Sequence, residues 1–195
     1  MVRRSTSSRR SAHGSEVVTL PDRGECQVVV VADTHGQPHP NTRSLIEKLA
    51  PDVILHAGDI GDLSVLDQLR ELAPLLAVRG NIDVHAPGLL DSMDVEFVAQ
   101  ERSLLKLLLI HIAVYGPKLR ADVARQASAC GARIVLCGHS HVPFMGRDKG
   151  LVMFNPGSIG PRRFALPITL GELRVSPTGI SLRHVSCETG ETWLP

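Results

Sequence analysis

Residues 26–36 read Cys-Gln-Val-Val-Val-Val-Ala-Asp-Thr-His-Gly, and they give the clearest indication of the fold class. Four successive valines leave no polar face, which is typical of a strand buried on both sides, as in a parallel sheet. Asp33 and His35 follow where this strand would end. Open α/β sheets carry their functional residues at the carboxyl ends of their strands. The segment therefore predicts a buried strand that leads directly into a site.

The segments that follow repeat this arrangement twice. Helical spacing of apolar residues after Asn41 or Thr42, either of which suits an N-cap, predicts a helix that packs through Leu45, Ile46 and Leu49. Further elements are predicted as a strand over 53–56, a helix over 64–72 and a strand over 75–78. The two strands end at Gly58-Asp59 and Gly80-Asn81. This is a βαβαβ unit, for which right-handed crossovers are expected.

The second half of the chain has a more antiparallel pattern. Apolar stretches at 95–99 and 104–110 flank a polar turn and predict a hairpin that ends at His111. A helix over 118–129 and a strand over 133–137 should follow, the strand ending at Gly-His-Ser-His, residues 138–141. Shorter strands are expected at 143–146, 151–154, 168–175 and 180–185. The residues thus predict a mixed α/β domain in which two sheets face each other and helices lie outside.

Composition excludes several functional classes. The chain of 195 residues is 43% hydrophobic, which suits a single domain, expected over residues 25–195. A net charge of +1 gives no global attraction for nucleic acid or anionic membrane, and no apolar run reaches the roughly 18 residues of a membrane span. With 3% aromatic residues, a base-stacking platform is not expected. We expect a domain without membrane or nucleic-acid partners.

Residues 1–24 differ from the rest of the chain. Arginines and serines dominate the first half of this segment, and it lacks the apolar region of a secretory signal. We expect a disordered basic tail, with binding to nucleic acid as an alternative role. The four cysteines form no C-x-x-C pair, which favours buried thiols in a reducing, cytoplasmic environment.

Seven polar residues follow five strands of the predicted fold. They comprise two carboxylates, four imidazoles and one amide oxygen, at Asp33, His35, Asp59, Asn81, His111, His139 and His141. This is too many donors for one tetrahedral zinc ion. It suits two divalent ions that share a carboxylate, because mixed nitrogen and oxygen donors favour borderline metals.

The order D-x-H, G-D, G-N, a lone histidine after an apolar strand, and G-H-x-H resembles the calcineurin-like metallophosphoesterase superfamily. The resemblance covers residues 26–186, and the Asn-Pro-Gly-Ser segment at 155–158 is most similar to the small bacterial and archaeal phosphodiesterase branch. That branch is related in fold to the retromer subunit. The resemblance implies a four-layer αββα sandwich of two mixed β-sheets flanked by helices.

The resemblance also implies roles for the seven residues. The first ion would be held by Asp33, His35, Asp59 and His141, and the second by Asp59, Asn81, His111 and His139, so that Asp59 bridges. A hydroxide between the ions would attack a phosphoester. Asp59, Asn81 and His139 are expected to act in catalysis. Mn²⁺ is the expected metal, with Fe, Zn, Co and Ni as alternatives.

Two residues depart from the family pattern. Ile82 occupies the position where many members have a histidine beside the leaving oxygen, which favours diesters with good leaving groups over phosphomonoesters. Ile112 follows His111 where the family usually has glycine. Because a β-branched residue disfavours positive φ, we expect a different local turn there.

Further residues are candidates for supporting roles. Arg162, with its neighbour Arg163, would bind substrate phosphate, although a solvated surface pair is an equal alternative. Asp83 is a candidate partner for a ligating histidine, whereas His56 is interpreted as a strand-end residue. His39 and His85 are interpreted as solvated loop histidines, and His184 as a surface residue.

The sequence thus predicts a metal-dependent phosphoesterase that acts on a small-molecule phosphodiester. Two alternatives stay open: a metal-binding protein-interaction scaffold with weak or no hydrolysis, and a nuclease of the same chemistry. A homo-oligomer could form through the edge of the hairpin at 95–110.

Overall fold

The computed structural model describes residues 12–194, which form fourteen strands and three helices. In chain order they are β1 (His13–Thr19), β2 (Cys26–Val31), α1 (Thr42–Leu49), β3 (Val53–His56), α2 (Ser64–Arg70), β4 (Leu75–Ala77), β5 (Ser92–Ala99), β6 (Arg102–Ile110), β7 (Val114–Tyr115), β8 (Lys118–Leu119), α3 (Ala121–Cys130), β9 (Ile134–Leu136), β10 (Phe144–Asp148), β11 (Leu151–Asn155), β12 (Thr169–Ser176), β13 (Gly179–Ser186) and β14 (Thr192–Trp193).

Twelve of the strands form two six-stranded mixed sheets. One sheet has the order β1-β5-β6-β9-β11-β10, and the other has the order β14-β13-β12-β2-β3-β4. The predicted βαβαβ unit is confirmed, since β2, β3 and β4 pair in parallel. The strands β6, β9 and β11 are also parallel to one another. Each of these runs brings several carboxyl ends to one edge of its sheet.

The layers follow from how the apolar side chains are divided. The main core lies between the sheets and includes Val28, Val30, Leu107, Leu109 and Phe154. The alternate valines of β2 face the other way, where they pack against the apolar faces of α1 and α2. The helix α3 covers the outer face of the other sheet. The predicted αββα sandwich is therefore confirmed.

The structure differs from the expected tail over residues 13–19. These residues form β1, which pairs in parallel with residues 92–98 of β5. The strand lies at a sheet edge, and most of its side chains are exposed, so its sequence shows little apolar periodicity. The edge of β5 in the predicted hairpin is therefore covered rather than free. Residues 1–11, which complete the predicted tail, lie outside the described residues.

The region before α3 also departs from the prediction. The helix begins at Ala121 rather than near residue 118, because the chain first forms the two-stranded β7–β8 hairpin. This hairpin follows directly after the end of β6. Cys26, Cys137 and Cys187 are buried, Cys130 is half-buried, and all four are free thiols. None of the helices in residues 12–194 is long and apolar enough to cross a membrane.

Candidate metal centre

Turns at the strand ends aim the predicted ligands at one place. Asp33, His35, Asp59, His139 and His141 all have φ between 47° and 72°, in the left-handed region. Non-glycine residues seldom adopt this conformation, and its cost is usually found where function requires it. Five of the seven predicted ligands share it, so the backbone at this edge is shaped to bring their side chains together.

The first cluster consists of Asp33, His35 and His141, each with a ligand atom within 4.8 Å of the others. The Nε2 atoms of His35 and His141 lie 3.1 Å apart, and His141 Nε2 lies 3.5 Å from Asp33 Oδ1. Asp33 and His141 are buried. Two imidazole nitrogens that face each other across a carboxylate form a set of donors suited to one cation.

The second cluster consists of Asp59, His111 and His139, with Asn81 between the histidines. Asn81 Oδ1 lies 3.0 Å from both His111 Nε2 and His139 Nδ1. The Nδ1–H of His111 donates to the Ala57 carbonyl at 2.8 Å. This bond fixes the tautomer, as is usual for metal-binding histidines, and leaves Nε2 free to bind an ion.

Asp59 lies between the two clusters. One carboxylate oxygen is 3.2 Å from His111 Nε2, and the other is 3.9 Å from His35 Nε2. The backbone N–H of Ile82 donates to Oδ1 at 3.1 Å and so fixes the carboxylate. Asp59 therefore faces both groups of ligands, as a bridging residue must.

The protonation of the two aspartates indicates where positive charge is needed. Burial raises the pKa of Asp33 to about 7, against the opposing effect of His111. Burial also disfavours the charge of Asp59, but hydrogen bonding and positive charge from His111 lower its pKa to about 2. A bound cation would offset the energetic cost of the buried negative charge of Asp33. The donor set and the buried Asp33 carboxylate, whose charge burial disfavours, fit divalent metal ions, and all seven predicted ligands would hold them.

Ile112 does not disturb His111. Among the described residues, the left-handed conformation occurs at ten non-glycine positions, and Ile112 is not one of them. The expected difference in the turn is therefore compatible with His111 in the cluster, because the strand β6 and the bond to Ala57 already orient the ring.

Of the two arginines, Arg163 lies beside the ligands and Arg162 does not. The guanidinium of Arg162 pairs with Glu188 and donates to the Leu166 carbonyl at 2.7 Å, which directs it away from the clusters. Arg163 donates to His35 Nε2 at 3.2 Å. The structure thus does not support Arg162 as the phosphate contact. The two arginines are adjacent in the chain and differ in the direction of their side chains, which the sequence does not indicate.

Asp83 supports the site through the backbone rather than through a histidine. Its buried carboxylate accepts N–H groups from Ile60, Gly61 and Gly80 at 2.8 to 3.1 Å. It thereby ties the turn after Asp59 to the turn before Asn81. The predicted contact with a ligating histidine is not seen, although its position two residues after Asn81 was a correct indication that it belongs to the site.

His56 connects the turns of the two clusters. It is fully buried, and burial lowers its pKa to about 4, so the ring is neutral near pH 7. Nδ1 accepts from the N–H of Gly58 at 3.1 Å, so Nε2 carries the proton and donates to Thr34 Oγ1. The hydroxyl of Thr34 then donates to the Ile60 carbonyl. His56 is thus more than the strand-end residue that we expected.

The remaining histidines differ in their surroundings. His184 is buried, stacks on Phe154 at 4.4 Å and donates to the Asn155 carbonyl, so the prediction of a surface position is wrong. His85 is exposed, as predicted. His39 is half-buried, and its Nδ1 accepts the N–H of Asn41 at 3.3 Å.

Comparisons with known proteins agree with this geometry. The family model described as the calcineurin-like phosphoesterase superfamily domain matches residues 26–177. A probable metallophosphoesterase of Methanothermobacter thermautotrophicus is 33% identical over 135 residues, which cover 66% of this chain and 74% of that protein.

Solved structures show the same fold. Vacuolar Protein Sorting 29 of Cryptosporidium parvum superposes with a TM-score of 0.70 at 16% identity and covers 88% of this chain and 96% of its own. An archaeal phosphodiesterase superposes with a TM-score of 0.59 at 18% identity and covers 82% of this chain and 99% of its own. Since the family model spans most of the chain and includes the predicted ligands, this protein belongs to the calcineurin-like phosphoesterase superfamily.

Proposed function

We propose that this protein is a metal-dependent phosphoesterase that hydrolyses phosphodiesters at a centre of two divalent ions. The observation that carries the proposal is the position of Asp59, which faces both clusters of ligands. When bound, the ions would act as Lewis acids toward the phosphoryl oxygens and would activate a water molecule for attack. Mn²⁺ remains the expected metal.

Different residues of the chain would hold the ions and bind the substrate. Asp33, His35 and His141 would hold one ion and Asn81, His111 and His139 the other, with Asp59 between them. Arg163 would bind a phosphoryl oxygen of the substrate, since its guanidinium already reaches the edge of the first cluster at His35. Arg163 would then offset the negative charge of the phosphate on the side of the first cluster.

The surroundings of Asn81 favour diesters with good leaving groups. Ile82, which is 43% exposed, offers no proton to a departing oxygen. A leaving alcohol of low pKa needs little protonation, so an aryl ester should react faster than an alkyl ester. A leaving-group series at constant metal concentration tests this: equal rates for both classes would contradict the absence of an acid at this position.

The proposal is tested by metal analysis and by hydrolysis of bis-4-nitrophenyl phosphate in the presence of Mn²⁺. We expect two ions per chain and turnover that His139→Ala abolishes, because this change removes a ligand of the second ion. His85→Ala is the matched control, since His85 is an exposed histidine outside both clusters. Undiminished activity of His139→Ala would refute the proposed centre.

A scaffold role is the second candidate, and the exposed Ile82 beside Asn81 is the observation that favours it. Two bound ions without hydrolysis of any phosphoester would support the scaffold over the enzyme. The cytoplasmic location and the homo-oligomer stay predictions.

A further inference from the structure

A cavity of about 540 Å³ opens beside the second cluster, between the β7–β8 hairpin and the turn that carries His139. His139 itself forms part of its wall, so the cavity borders the candidate metal centre. A volume of this size accommodates a ring system. The position suggests a binding site for part of the substrate rather than an unrelated surface depression.

The wall of the cavity is apolar and carries no Asp, Glu, Lys or Arg side chain. Its apolar surface comes from six residues, Ile112, Ala113, Val114, Pro117, Val142 and Phe144. Tyr115 stands at the cavity with 88% of its surface exposed, and Val142 is 42% exposed. Apolar surface open to water around a concave site is stabilised when an apolar group covers it.

Two polar side chains of the wall, Asn155 and Ser140, are already engaged inside the protein. Asn155 donates both N–H groups of its amide, to the Gly138 carbonyl and to Ser140 Oγ. Its amide oxygen accepts the N–H of Gly157, and Ser140 Oγ also accepts the N–H of Val142. These groups hold the turn in place and leave few hydrogen bonds for a ligand. A sugar or a second phosphate would therefore lose hydration here without compensation.

We infer that this cavity binds an apolar, preferably aromatic, ester group of the phosphodiester substrate while the phosphoryl group lies at the metal centre. The inference rests on the proposed function and adds the substrate class. The charged phosphoryl group of the substrate would lie toward Arg163, and its apolar ester group would lie toward Val142. Dialkyl diesters with small groups would gain little from the cavity.

The test uses three diesters with one constant leaving group, 4-nitrophenol: methyl, phenyl and 2-naphthyl 4-nitrophenyl phosphate. We expect kcat/KM to rise from methyl to phenyl by about tenfold, with a further rise for naphthyl, because more apolar area is removed from water. Val142→Asn should reduce the phenyl-to-methyl ratio at least about threefold, since it places an amide in the apolar wall. The backbone bond from residue 142 to Ser140 is kept in this variant.

The control is Val17→Asn, which makes the same change at an exposed valine of β1. It should keep the wild-type ratio. Equal kcat/KM for all three esters, or a ratio unchanged by Val142→Asn, would overturn the apolar site and leave the proposed hydrolysis standing. If none of the three esters is hydrolysed, the proposed function fails, and the inference fails with it.

Discussion

The two ligand clusters are built by different means. All three residues of the first cluster, Asp33, His35 and His141, have left-handed backbone and lie in turns. In the second cluster, Asp59 and His139 share this backbone, but His111 follows the long strand β6 with ordinary backbone, and a bond to Ala57 orients its ring. Their neighbours also differ: Arg163 borders the first cluster, and an apolar cavity borders the second. The difference indicates that one side of the centre is suited to charge and the other to apolar groups.

The largest effect is expected where the clusters meet. Asp59→Asn removes a negative charge that faces both groups of ligands, so hydrolysis of bis-4-nitrophenyl phosphate should fall by about a thousandfold or more. Metal analysis of the same samples should show loss of bound ions. Asp67→Asn, at an exposed acid of α2, is the control and should change neither quantity. Full activity in Asp59→Asn would show that the clusters work independently.

The next effect concerns His56, which joins the turns of both clusters. Its pKa is about 4 in the folded protein and near 6.5 when unfolded, so between these values the unfolded chain binds a proton that the folded chain does not. Stability should therefore be lost as pH falls from 6.5 to 4, by roughly 3 kcal/mol in total for this group.

Urea unfolding of the metal-free protein at several pH values measures this loss. The comparison with His56→Gln removes the contribution of other titrating groups, so the expected signal is a steeper pH dependence in the wild type. Parallel curves for the two proteins would show that the pKa of His56 does not differ between the folded and unfolded states.

A third prediction concerns the packing of the turn that carries Asp59. A Cβ atom at Gly80 would lie 2.1 Å from Asp59 Oδ1 and 2.2 Å from the Asp59 nitrogen. Gly80→Ala must therefore displace the Asp59 turn, and we expect a loss of about 2 kcal/mol in the free energy of unfolding. Gly179→Ala is the matched control, because nothing lies within 4 Å of its added methyl group. Differential scanning calorimetry would show the contrast, and equal melting temperatures would contradict it.

The smallest expected effect tests whether Arg163, beside the first cluster, binds the phosphate of the substrate. Arg163→Ala should raise KM for bis-4-nitrophenyl phosphate by about tenfold through loss of a charged hydrogen bond to phosphate. Arg162→Ala should leave KM unchanged, since its guanidinium is paired with Glu188. Steady-state kinetics of both variants decide between them, and the reverse result would restore Arg162 as the phosphate contact.

The repeated strand–helix pattern and the polar residues at the strand ends could be predicted from the sequence. The valines of β2 indicated a strand buried on both faces, and the polar residues after each strand indicated the shared edge. The edge strand β1 escaped prediction because exposed side chains carry no apolar pattern. The roles of Arg162 and Arg163 could not be separated, because only the turn decides which side chain reaches His35. His184 was misplaced because its burial depends on Phe154, which is distant in the chain.

The direction of β1 has a practical consequence for handling the protein. β1 is parallel to β5, and β5 runs antiparallel to β6, which ends at His111, so His13 lies at the same end of the sandwich as the candidate metal centre. A polyhistidine tag joined directly to residue 12 would start at that end, where it would compete for the added metal. The short strand β14 also lies near this end, because Trp193 pairs with His184, His184 with Gly171, and Gly171 with Val30 of β2. Metal titrations therefore call for protein from which any polyhistidine tag has been removed.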